Sequence, residues 1–258
     1  MADDTSLASI LASVPPELRG LLATGASLRR PVEAPLSRPP LTTGVPALDR
    51  ALGGGLPRGA LVELVGRASS GRFSAALAAL AAVTAAGEPA ALVDVGGSLD
   101  PGSAGRLGVR LDRLLWAVPR RLPEAVRAAE ELLAAGFPLV VLEAGLPPLR
   151  GRAAPAAWLR LARLAGAHRA MVLLSSPWRL SGAAASAVLR LRFRRGVWRG
   201  GAVRVLAGVE SGISVLRRRA GAPAAPGTHR WLLPDAALAD PERLPAVAPG
   251  VEAVHAAG

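Results

Sequence analysis

The chain has 258 residues, 51% of them apolar and 19% charged, enough to bury one core in a single globular unit. It contains no cysteine, which excludes disulfides, thiolate metal sites and a cysteine nucleophile, and its three histidines, His168, His229 and His255, lack the spacing of metal ligands, so no metal site is expected. The net charge is +12 and all 31 basic residues are arginine, giving a field that favours a polyanion or an acidic protein partner.

In chain order, MADDTSLASIL is acidic where a secretory leader is basic, and Pro15 and Pro16 break its apolar run, so a cytoplasmic location, with nucleoid association allowed, is expected. Residues 1–40 read as a short helical segment on a proline-rich tether. From Thr42, TTGVPALDRALGGGLPRG predicts a small helix among glycine turns, and LVELV, residues 61–65, predicts a buried strand. The alanine-rich run from Ala75 to Ala86 is shorter than the roughly 20 residues that span a bilayer and predicts a buried helix within 74–86. Strands follow at 91–95, 138–144 and in RAMVLLSS, and helices at 123–136 and in APAAWLRLARLAGAH. Alternating strands and helices predict an α/β fold with a mostly parallel sheet covered on both faces. In VLRLRFRR the period changes to two, which predicts a strand burying leucine and phenylalanine and exposing arginine, with AVRVLAG and ISVLRRR as its neighbours. Residues 41–220 thus form the expected core, and 221–258 a flexible proline- and alanine-rich tail with one docked turn near Trp231.

Between the first strand and its helix lies GRASSGRFS. A phosphate-binding loop requires G-x-x-x-x-G-K-[ST], whose backbone N–H groups cradle phosphates, whose lysine reaches the outer phosphates and whose hydroxyl holds Mg²⁺. Gly66 and Gly71 keep the spacing, and Ser69, Ser70 and Ser74 keep the loop polar, but Arg72 replaces the lysine and Phe73 the hydroxyl. A planar guanidinium does not reproduce the point charge of lysine, and moving the hydroxyl to Ser74 turns it about 100° around the helix. The expected site is a degenerate nucleotide site with no catalytic residue and no bound ATP or Mg²⁺.

The order of ALDRALGGGLPRG, LVELVGRASSGRFS and LVDVGGSLDPGSAGRLGVRLDRLLWAVP resembles the ATPase core of RecA, the bacterial recombinase, and that resemblance implies a RecA-type fold. It also marks departures. Gly96 and Gly97 stand where RecA has its water-positioning glutamate, and Glu143 where RecA has the aspartate that supports magnesium. The loops corresponding to RecA's DNA-gripping loops are short, and the RecA C-terminal domain has no counterpart in the tail. With an added N-terminal segment, the chain resembles ImuA, the recombinase-related, sometimes SulA-labelled member of bacterial mutagenesis cassettes. The resemblance implies a non-hydrolysing accessory of the SOS response and translesion synthesis. Its implied partners are RecA or an ImuB-type polymerase component, with self-association through the N-terminal segment. Two alternatives stay open. An active ATPase could use Arg72 and Ser74. Single-stranded DNA could bind a basic face built from Arg190, Arg192, Arg194, Arg195, Trp198, Arg199, Arg217, Arg218 and Arg219, with the tryptophan stacking on bases.

Overall fold

The computed structural model describes residues 39–146, 149, 151–200, 204–219 and 226–232. The expected N-terminal helix, most of its tether, and the tail beyond residue 232 lie outside these residues. An eight-stranded sheet runs β3-β2-β4-β5-β1-β6-β7-β8, with β1 at Ala60–Val65, β2 at Ala90–Asp94, β3 at Leu114–Ala117, β4 at Leu139–Glu143, β5 at Met171–Ser176, β6 at Ala187–Arg199, β7 at Val205–Arg218 and β8 at Gly227–Leu232. Pairing is parallel from β3 through β6 and antiparallel from β6 to β8.

The helices are α1 (Pro46–Leu52), α2 (Arg72–Ala85), α3 (Pro101–Arg106), α4 (Leu122–Ala134) and α5 (Pro155–His168). Proline enters the first turn of α1, α3, α4 and α5, where its missing N–H costs nothing. Because strand side chains alternate, each central strand feeds two cores. Val62 and Leu64 of β1 pack with α1 and α2, through Leu48 and Leu80. Leu61 and Val65 face the opposite way, toward Val126, Leu133, Trp158 and Leu161 of α4 and α5.

Several expectations are corrected. Val205–Gly208 of AVRVLAG and Ile213–Arg218 of ISVLRRR lie on one 14-residue strand, β7, rather than two. The segment expected to be tail contains β8, which extends the sheet to Leu232 by pairing Gly227–Leu232 with Ile213–Gly208. Thr-His-Arg-Trp carries little apolar periodicity, so only the vacant edge of β7 makes it a strand. Phe193 was expected on the buried face, yet it is 51% exposed. β1 ends at Val65, opposite Arg190, and among the described residues no strand continues the sheet beside Phe193 on that side, while the register shift comes only after Phe193, before Arg195.

Among the described residues no helix is long and apolar enough to cross a membrane.

Candidate functional site

The site sits at the carboxyl ends of the parallel strands, where α/β sheets place their ligands. Gly71, at φ +85°, turns the chain from the loop into α2, so that Arg72 is the first helical residue. Its side chain passes inward between the ends of β4 and β5. Register places Glu143 directly beside Ser175 on these two strands. Nη1 of Arg72 ion-pairs with Oε1 of Glu143 and donates to Ser175 Oγ at 2.7 Å, while Nη2 donates to the Gly145 carbonyl at 2.9 Å. Arg72 is 5% exposed and Glu143 2%. Glu143 also accepts from the Gly145 N–H at 3.1 Å. Burial pushes its carboxyl above the usual range, against the opposing pull of the Arg72 charge and the hydrogen bond with Ser175.

The outer side of the loop is closed by the last two strands. Ser211 of β7 donates to the Ser70 carbonyl at 2.7 Å. A Cβ on Gly71 would fall 2.7 Å from Ser211 Oγ and 2.9 Å from Cδ1 of Trp231. Trp231 of β8 meets His229 edge-on, with ring centroids 4.3 Å apart. Phe73 packs on the core shared by α1 and α2. Ser74 lines a separate hollow of about 400 Å³ with Ser103, Leu107, His229 and Trp231.

The cation at position 72 faces Glu143 as its counter-ion, and the next side chain, Phe73, is a phenyl ring packed on the core. Among the described residues no group of acidic or histidine side chains could hold a metal. Gly96 and Gly97 lie on the neighbouring turn, where Asp94 holds the backbone by accepting from the N–H groups of Gly96 (3.2 Å) and Leu99 (3.0 Å).

Of the sequence-predicted loop residues, Arg72 meets Glu143, whereas Phe73 turns to the core and Ser74 to the separate hollow. The predicted arginines are strung along the length of the β6–β7 hairpin, with Arg190, Arg192, Arg194 and Arg195 in its middle. β6 and β7 pair with Arg199 opposite Val205 and Ala187 opposite Arg218, so Arg217, Arg218 and Arg219 sit at the far end of the hairpin from Trp198 and Arg199. That is about 40 Å of extended strand. Arg217 donates to the carbonyls of Gly182 and Ala183 at 2.8 and 3.2 Å, Arg219 to that of Ala183, and Arg195 pairs with Glu210 at 3.1 Å. The sequence reading gave no site role to Ser175 or Ser211 and placed Trp231 only in a docked turn. A serine ending an apolar strand was the available signal for the first, and no local signal marks the other two.

A strand, glycine loop and helix within a parallel sheet make this a phosphate-loop α/β protein. Residues 28–148 match the RecA N-terminal domain. The chain is 43% identical over 117 residues to protein RecA of Frankia casuarinae, a stretch that is 45% of this chain and 32% of that one. It is 46% identical over 106 residues to protein RecA of a Mycobacterium species, covering 41% of this chain and 30% of that one. The match thus spans about a third of the length of these curated relatives. The crystal structure of the RadB recombinase superposes with a TM-score of 0.56 at 19% identity, over 74% of this chain and 95% of that chain, a likeness of fold. Residues 28–148 are thus similar in sequence to the RecA N-terminal domain, and the sheet and its helices have a RecA/RadB-type fold.

Proposed function

We propose that this chain is a RecA-fold accessory protein that does not hydrolyse ATP and acts through protein contacts in damage-induced, error-prone DNA synthesis, as in the ImuA group it resembles. The supporting observation is the buried Arg72–Glu143 ion pair, which commits to each other the two groups that a RecA-type ATPase would turn toward phosphate and metal. Phosphoryl transfer depends on positioned charge, and removing one stabilising donor typically costs about a hundredfold or more in rate. Four places differ here: Arg72, Phe73, the Gly96–Gly97 turn and Glu143.

Purified protein is expected to release no phosphate from Mg²⁺·ATP above background, and to capture RecA or an ImuB-type polymerase component without nucleotide. Steady phosphate release that disappears in Arg72→Ala would overturn the first half. Failure to capture either protein would overturn the second.

A second reading, direct contact with single-stranded DNA, is favoured by the hairpin end, where Trp198 is 58% exposed beside Arg199. It requires oligonucleotide binding that weakens steeply with salt and is reduced by Trp198→Ala.

A further inference from the structure

On the other side of β1 from Arg72, a cleft of about 880 Å³ opens between the loop, the exit from β5 and β6. Arg67, Arg179, Arg190 and Arg192 line it, and among the described residues no acidic side chain does. Its apolar lining includes Trp178 and Phe193, 46% and 51% exposed, with Val65, Leu191 and Pro177. The wall is built rather than incidental. Glu63, fully buried in β1, accepts from the Leu180 N–H at 2.6 Å, from Ser176 Oγ at 3.1 Å and from Ser181, fixing the turn that carries Trp178 and Arg179. On the floor, the Ser70 hydroxyl is buried and has no hydrogen-bond partner among the described residues.

The backbone contributes as well. β1 pairs with β6 only as far as Arg190, and among the described residues no strand continues that pairing. The Leu191 carbonyl points at the loop, lying 2.7 Å from where a Cβ on Gly66 would sit. Because strand backbone groups alternate, the N–H and C=O of Phe193 face the same vacant side. An open strand edge pairs with another strand.

We propose that this cleft binds an extended acidic segment of a partner protein, added as a strand along β6. Its carboxylates would meet the four arginines and its alternate apolar side chains would rest on Trp178 and Phe193. A protein partner is favoured over a nucleic acid because a free strand edge satisfies peptide groups and has no counterpart in a sugar–phosphate chain. The proposal rests on the adaptor reading above and supplies the chemistry of the contact.

The probe is a labelled, blocked ten-residue peptide alternating glutamate with valine or phenylalanine, titrated into the full chain by fluorescence anisotropy. Binding is expected, weakened about tenfold or more by Arg192→Glu and by Trp178→Ala. A peptide N-methylated at alternate amides should lose binding on one of its two N-methylation registers, and a twenty-nucleotide oligo(dT) should not displace the parent peptide. Arg192 and Trp178 are exposed, so unchanged melting of both variants checks the fold. No peptide binding, indifference to both N-methylation registers, or displacement by oligo(dT) would each overturn the proposal. Capture of RecA or a polymerase component persisting in Arg192→Glu alongside a failed peptide titration would sink the cleft and leave the adaptor reading standing.

Discussion

Two arginine sites share the carboxyl edge of this sheet and behave oppositely. At the end of β4, Arg72 is buried and its guanidinium is held by a carboxylate, a hydroxyl and a carbonyl. Across β1, Arg192 stands exposed on a strand edge, and among the described residues no acid lines the cleft it faces. The same side chain closes one site and leaves the other open, because a buried guanidinium must find every partner within the protein whereas an exposed one keeps water until a ligand replaces it.

The largest way to break this contrast is Arg72→Met. It leaves Glu143 buried without its counter-ion and is expected to cost about 3–5 kcal/mol in denaturant unfolding, while the double variant with Glu143→Leu recovers much of the loss. A single-variant loss below about 1 kcal/mol would show that the pair does not hold the loop. Next is Glu63→Ala, which strands the donors of Leu180 and Ser181 and is expected to cost about 2–3 kcal/mol in the same assay. Because this releases the turn bearing Trp178, peptide binding in the cleft should fall with it.

Gly71→Ala combines a positive φ with contact against Trp231 and Ser211, and is expected to cost about 1–3 kcal/mol, read as a lowered melting temperature. A change in tryptophan fluorescence would accompany it if β8 shifts. The smallest effect concerns His229, whose pKa burial lowers from its ordinary 6.5. The unfolded chain then binds the proton more tightly, so this residue's contribution is intact above 6.5 and is lost as pH falls through that value toward the folded pKa. His229→Phe should flatten the acid side of a stability–pH profile, and an unchanged slope would show that the ring does not titrate on unfolding.

Much of the architecture was legible because parallel strands here are unbroken apolar runs and their helices carry proline starts and glycine stops, as in Pro138–Ala144 and Pro123–Gly136. β8 was not legible, since its residues lack a period and are ordered by the edge they join. In the loop, Arg72 and Phe73 were visible as departures from phosphate-loop chemistry, but the destination of Arg72 was not. Its partners Glu143, Gly145 and Ser175 lie more than seventy positions away, brought together by the register of β4 and β5. How the basic residues of β6 and β7 are spread was not legible either: the hairpin register puts Arg217, Arg218 and Arg219 at one end, Trp198 and Arg199 at the other, and the remaining arginines between them.

Taken alone, the sequence determined the α/β order, the glycine spacing of the loop and the loss of lysine and hydroxyl, because hydrophobic periodicity and side-chain chemistry are local properties. The tertiary structure decided what the replacements do. Whether an arginine neutralises a buried acid or waits in an open cleft depends on which strand ends beside it, and strand order and register are set by packing across the whole sheet.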